Sequence, residues 1–335
     1  MNKFIINTKN LISNVKSIKN KLNGRLFCAV VKADAYGHGI ENIVPFIDEY
    51  VDYYAVANIK EGVLLRGLTH KRILVLGAFS ACEIGLAVAS DLELSIYSDF
   101  ALKSVLEANK RLKVHLKINS GMNRLGFSYG RLKKILRQIK ANNNIKIVGV
   151  YSHIYNNSSK EDIKNQKYVF DKCLKLFDRD IITHLSSTCG FENISEYKMA
   201  RIGLGIYGYP KGLPVLSIES TLAQKHFVKK GERVGYDGTY VANEPQCIAT
   251  VPLGYYDGLP LHFQNGGYVI INNKKCPVVG KVCMDMFMCK ASKDIKQGSK
   301  VIVFWNASKW AKIKSSHEWE VLTSIKRNRL KVEFR

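Results

Sequence analysis

Lys32 closes an apolar, β-branched run, LFCAVVK, and is followed by Ala-Asp-Ala-Tyr-Gly-His-Gly. A lysine at the end of a strand can point into a confined mouth. Loss of hydration there lowers its pKa and frees an amine able to form a Schiff base with a carbonyl. Gly37 and Gly39 permit a tight turn directly after it. Taken alone, a strand-end lysine is more often a solvated surface residue. The other chemically versatile side chains are eight cysteines, Cys28, Cys82, Cys173, Cys189, Cys247, Cys276, Cys283 and Cys289, none of them in a CxxC pair. The spacing of the late three fits no zinc pattern, so no metal is expected. Several sit in apolar runs such as CAVVK and CIATV, which reads as buried thiols in a reducing compartment.

The elements that must position Lys32 are legible in the periodicity. From Leu26 to Gly203, short β-branched runs alternate with amphipathic stretches. The runs centre near Val31, Ala55, Leu74, Ile96, Leu116, Val150, Ile182 and Arg201. Between them Leu132, Ile135, Leu136 and Ile139, and again Phe170, Cys173, Leu174 and Phe177, recur at helical spacing. About eight β/α units close a parallel barrel better than they build a doubly wound sheet. After Pro214 the runs CIATVPLG, YVIIN, PVVGKV and KVIVFW are separated by the turn signals Asn265-Gly266-Gly267, Asn272-Asn273 and Gln297-Gly298. No helical period is apparent between them, so a mostly-β second domain is predicted. The expected organisation is a strand near Phe4 to Asn7 within residues 1–9, a candidate to pair with the second domain, a barrel over 10–213 with its first helix from about Asn10, and a β-domain over 214–335.

The 335 residues suit such a two-part chain, and a 46% hydrophobic content supplies two cores. No apolar run approaches the roughly 18 residues of a membrane span, and the first residues lack the apolar stretch of a signal peptide. A cytoplasmic protein is expected. The net charge of +23 would suit nucleic acid, but the lysines are spread along the whole chain and not gathered into an arm. Scattered surface lysine is the preferred reading, and no nucleic-acid partner is expected.

The string AVVKADAYGHG closely resembles the cofactor-lysine motif of alanine racemases. HLKINSGMNRLGF, YSHIY, HLSSTCG, MARIGLGIYG, VGYDGTY, TVPLGYYDG and GKVCMDM follow in that family's order, so the resemblance spans nearly the whole chain. It implies an eight-stranded β/α (TIM-like) barrel followed by a β-domain, pyridoxal phosphate as cofactor, and interconversion of L- and D-alanine through an aldimine. Lys32 would carry the cofactor and act as one acid/base, and Tyr236 would be the other. Tyr36 and Thr188, with the backbone N–H groups of Gly203 and Leu204, would hold the phosphate. Arg201 would face the ring nitrogen, oriented by His153, with His184 supporting the ring from behind. Arg124 would bind the substrate carboxylate or the cofactor phenolate, and a carbamylated Lys117 would hold Arg124. Met284 and Asp285 belong to the loop that receives the carboxylate, and Tyr255 would line the mouth. The family's sites are shared between two subunits, so a homodimer is implied, and D-alanine would supply peptidoglycan.

Several positions depart from the family pattern. Trp319 stands where a phosphate-binding tyrosine is common, Asn119 replaces a common Asp, Leu261 an arginine of the mouth, and Ser187-Thr188 a common Asn-Ser. These leave the reaction type in place and bear on substrate preference. The alternatives are a broader amino-acid racemase or a basic amino-acid decarboxylase of the same fold.

Overall fold

The structure, a computed structural model, describes residues 2–335. After a first strand, β1 (Lys3–Ile6), eight parallel strands follow: β2 (Leu26–Val30), β3 (Tyr53–Val56), β4 (Arg72–Val75), β5 (Leu92–Ile96), β6 (Leu112–Lys117), β7 (Ile145–Tyr151), β8 (Ile182–His184) and β9 (Met199–Ile202). β2 to β8 pair in sequence order, and β9 pairs with β2. An isolated parallel bridge, Ser187 to Arg201, ties the chain beyond β8 to β9 and nearly closes the barrel. Every strand centre anticipated from the apolar runs falls in or just beside one of these strands.

Helices Ile40–Ile47, Ile59–Arg66, Ile84–Ala89, Asp99–Ala108, Tyr129–Lys140 and Lys160–Leu174 connect the strands. Asn58, Ser98 and Ser159 cap three of them by accepting from Glu61, Ala101 and Asp162 N–H. Leu132, Ile135, Leu136 and Ile139 form the buried stripe of their helix. Phe177, anticipated as the end of a helical stripe, lies beyond Leu174, where that helix stops. Between β8 and β9 the chain makes turns and no helix, so the β/α alternation lapses there among the described residues.

The chain divides into two compact units. One holds the barrel, Ile12–Ala35 and Gly39–Ile206. The other holds the residues up to Leu11, Tyr36–His38 and Tyr207–Arg335. In this second unit β1 lies between strands Leu216–Thr221 (antiparallel) and Lys331–Phe334 (parallel) within a nine-stranded sheet. The anticipated turns at Asn272-Asn273 and Gln297-Gly298 are present, and Asn272 and Asn273 both take positive φ between paired strands. The unit is less purely β than its sequence implied. Helices Ala307–Lys314 and Glu318–Ser324 follow the strand Lys300–Phe304. Ala307, Trp310 and Ala311 do recur at i, i+3, i+4, but two of the three are alanines, which leave little apolar period to read.

Among the described residues no helix is long and apolar enough to cross a membrane. The eight cysteines are free thiols. The reading of them as buried needs correction at Cys82 and Cys189, which are exposed, and at Cys283, which is half-buried. Both exposed thiols lie in loop or turn segments outside the strands.

Candidate active site

Lys32 lies two residues beyond the end of β2, at the C-terminal end of the barrel, where barrel chemistry resides. The segment after it departs from an ordinary helical turn. Ala33, Asp34, Ala35 and Tyr36 all hold φ between 52° and 53°, with ψ near 50° for the first three, so the chain makes a left-handed turn. Tertiary hydrogen bonds hold it. The Glu61 carboxylate accepts from Ala33 N–H and Ala57 N–H, both at 2.8 Å, and Asp34 Oδ1 accepts from Ile40 N–H at 2.9 Å. Ala35 N–H reaches Val31 O at 2.9 Å. The Lys32 side chain remains open to solvent. Protein packed around its ammonium nevertheless lowers its pKa; Arg124 and Arg201 add to the shift, and Glu61 opposes it. Tyr36 ends the turn with its phenol pushed up to about 12 by burial, and its ring packs 5.1 Å from that of Tyr207.

Lys117 ends β6 and is buried with its ammonium 5.3 Å from the Tyr151 ring. Burial, then the charges of Arg201, Arg124 and Lys32, bring its pKa down to about 8. Arg124 follows on an exposed loop that Asn119 closes, its Oδ1 accepting from Gly121 and Asn123 N–H at 3.2 and 3.0 Å. Thus Lys32, Lys117, Arg124 and Arg201 share one electrostatic neighbourhood. Such a donor set calls for anions, and a phosphate and a carboxylate suit it. Thr188 Oγ1 accepts from Gly203 and Gly205 N–H at 3.2 and 3.3 Å, so it caps the short turn Leu204–Tyr207.

Arg201 is buried under this cluster. Its Nη1 donates to His184 Nδ1 at 2.6 Å and its Nη2 to Ser152 O at 2.7 Å. His153 Nδ1 lies farther, at 3.4 Å. Both imidazoles therefore contact Arg201, His184 more closely than His153. Burial, followed by the charges of Arg201, Arg124, Lys117 and Lys32, brings His153 down to about 3, so it stays neutral. Behind His184 the lumen continues polar, which sequence reasoning missed. His115 Nδ1 is 2.8 Å from His184 Nε2, and His115 Nε2 is 2.9 Å from Glu93 Oε2. Arg72 Nε donates to Glu93 Oε1 at 2.6 Å, and Tyr53 Oη donates to Glu93 Oε2. Glu93 in LELSI and His115 in LKVHLK were the available signals, being polar residues in otherwise apolar strand phases.

The second unit carries the remaining anticipated residues. Strands Arg233–Val234 and Tyr240–Val241 pair to frame a turn that leaves Tyr236 68% exposed, too open for a packing role. Met284 and Tyr255 are also exposed, and Asp285 accepts from Arg329 Nη1 at 2.8 Å. Tyr255 and Tyr256 N–H donate to Cys283 and Met284 carbonyls at 3.0 and 3.1 Å, tying the two loops together. Gly254 permits this approach, because a Cβ there would lie 2.1 Å from Met284 O. Trp319 stacks on His317 and Leu261 is exposed.

The chain is thus an α/β barrel with an accessible lysine at a strand end among guanidinium groups, continued by a β-rich unit. Residues 6–211 match the alanine racemase N-terminal domain and residues 215–333 the alanine racemase C-terminal domain. The alanine racemase of Borreliella burgdorferi is 32% identical over 353 residues, covering 96% of this chain and 94% of its own. The alanine racemase structure of Clostridium difficile 630 superposes with a TM-score of 0.93 at 31% identity, over 100% of this chain and 95% of that one. That of Bartonella henselae, described with covalently bound pyridoxal phosphate, shares the fold at a TM-score of 0.91 and 23% identity, over 100% and 99% of the two chains. The chain belongs to the alanine racemase family.

Proposed function

We propose that this isomerase interconverts L- and D-alanine with pyridoxal phosphate held on Lys32, Tyr236 serving as the opposing acid/base. The observation that carries the reading is the accessible Lys32 amine, its pKa lowered, at the head of the left-handed turn and beside Arg124 and Arg201. The residues fit the cofactor: a phosphate dianion and a substrate carboxylate would neutralise the cationic cluster. When bound, pyridoxal phosphate supplies an electron sink that acidifies the α-hydrogen of an attached amino acid. Lys32 Nζ and Tyr236 Oη would be the two groups that take and return that proton. Thr188, Tyr36 and the amides of Gly203 and Leu204 would hold the phosphate, the Gly203 amide turning to it from Thr188 Oγ1. Arg201 stays protonated and so gives the ring nitrogen no proton, which limits side reactions. Among the described residues no group accepts from its Nε–H, the donor left for that nitrogen. Arg124 and the Met284 loop, braced by Asp285 and Arg329, receive the carboxylate, Tyr255 lines the mouth, and His153 and His184 support the ring and Arg201.

The exposure of Tyr236, Met284 and Tyr255 supports a homodimer in which each site takes Lys32 from one chain and Tyr236 from its partner. D-Alanine production in the cytoplasm for peptidoglycan completes the proposal. A chiral assay with a panel of L-amino acids tests it: D-alanine should form fastest. Borohydride should trap the cofactor covalently on wild-type protein and not on Lys32→Ala. A retained adduct in that variant would remove Lys32 from its role.

A further inference from the structure

Across the barrel lumen, from the floor at Arg72 to Arg201 below the mouth, runs a line of paired polar side chains. Glu93, His115, His184 and Arg201 are each at most 4% exposed. Such groups are costly to bury, and a barrel can be filled with Leu, Ile and Val instead. The line also needs room made for it. Gly149 of β7 lies beside His115, and a Cβ there would stand 2.1 Å from His115 Nδ1. The β6–β7 register shifts at that point, between Val114 and His115. Tyr151 stacks on His184 with ring centroids 4.8 Å apart and planes at 4°, and its hydroxyl donates to Ser95 at 2.8 Å.

We propose that Glu93 and His115 are positioning residues for Arg201: the Glu93 carboxylate fixes the tautomer of His115, and through it that of His184, so that His184 presents a bare Nδ1 lone pair to the guanidinium. The direction follows from donor and acceptor chemistry alone. An ionised carboxylate only accepts, so His115 must carry its proton on Nε2. A neutral His115 then has a bare Nδ1, which requires the proton of His184 on Nε2. His184 Nδ1 is left to accept from Arg201 Nη1. The charge states agree with this. Burial alone would push the Glu93 carboxyl up, but hydrogen bonds from His115, Tyr53 and Arg72 outweigh it and hold it below the usual range. Burial lowers both imidazoles, His184 strongly, which keeps them singly protonated. The Arg201 guanidinium only donates and favours the same direction, so without the carboxylate the relay is held from one end and His115 is free to take either tautomer. An inverted His184 would turn an N–H toward the Arg201 N–H, and the guanidinium would have to rotate.

The function of this orientation rests on the reading that Arg201 faces the cofactor ring; the tautomers themselves do not. Histidine-selective ¹⁵N NMR of the wild-type holoenzyme should show both His115 and His184 as Nε2–H tautomers. Glu93→Gln, whose amide can donate or accept, should give mixed tautomers, shift the absorption band of the bound cofactor and lower kcat on the order of 10–100-fold. Tyr53→Phe removes the other donor at the same oxygen and the hydroxyl's 3.3 Å contact with His115 Nε2, but leaves the closer Glu93–His115 bond at 2.9 Å, so it should keep the wild-type tautomers, band and kcat. An Nδ1–H signal on either imidazole of the wild type would overturn the proposal, and needs no variant to fold. So would a Glu93→Gln protein with unchanged tautomers, or a Tyr53→Phe protein disturbed equally. If Lys32-dependent borohydride trapping failed, the cofactor reading would fall while the tautomer result stood.

Discussion

Replacing Ala33 by glycine should stabilise this protein, against the ordinary direction for that substitution in a right-handed helical turn. Ala33 is exposed with φ 53° and ψ 50°, so the substitution removes no packed side chain. A non-glycine residue held left-handed costs about 1–2 kcal/mol. Glycine relieves that cost and gives back about 0.5–1 kcal/mol through its freer unfolded chain. The net gain is about 0.5–1 kcal/mol, and the melting temperature should rise by roughly 1–2 °C. A right-handed helical turn would instead lose about 1 kcal/mol on the same substitution. Thermal and urea unfolding must be compared at one protein concentration and one cofactor loading, because bound partners raise apparent stability by mass action. Asp34→Gly provides the control. It relieves similar strain but deletes the acceptor of Ile40 N–H, so its gain should vanish. If Ala33→Gly lowers both midpoints, the turn is not left-handed, and the geometry that carries the chain from Lys32 to Tyr36 must be redrawn.

Lys117 should be found as a carbamate, visible as added mass or as a carbon-13 signal after bicarbonate labelling; a bare lysine with Arg124 ordered by another anion would count against it. Its pKa of about 8, against 10.5 unperturbed, means that an unmodified, CO₂-depleted protein bears the full penalty below pH 8 and gains stability as pH rises from there toward 10.5, a gain that Lys117→Met should abolish. His153, at about 3 against 6.5, should show no imidazole titration between pH 5 and 8, and the fold should lose stability as pH falls below 6.5, a loss that His153→Asn should reduce. Subunit exchange between inactive Lys32→Ala and Tyr236→Ala dimers should recover about a quarter of wild-type activity, since half the dimers are mixed and each has one intact site of two. Exchange demonstrated by mass with no activity recovered would place both groups in one chain's site.

The strand ends were legible because the strands are short apolar runs set between amphipathic stretches, and a barrel puts its reactive groups at those ends. Lys32 could therefore be singled out from its strand end, while Lys117, His184 and Arg201 were reached through the family resemblance. The handedness of the turn after Lys32 could not. Alanine, aspartate and tyrosine have no intrinsic preference for that region, and it is imposed by the distant carboxylate of Glu61 and the local one of Asp34. That Arg201 sits closer to His184 than to His153 depends on how β8 and β9 adjoin, which no local pattern encodes. Glu93 and His115 lay closer to reach. A parallel barrel buries both faces of each strand, so hydrophobicity alone does not tell the lumen from the helix layer. In β5, Leu92, Leu94 and Ile96 alternate with Glu93 and Ser95; in β6, Val114 and Leu116 alternate with His115 and Lys117. The polar phase marks the lumen, and once Lys117 is assigned to the mouth, His115 must lie two residues beneath it on the same face. Glu93 occupies the corresponding phase of the adjacent strand, so the carboxylate–imidazole pair follows from alternation and strand order together.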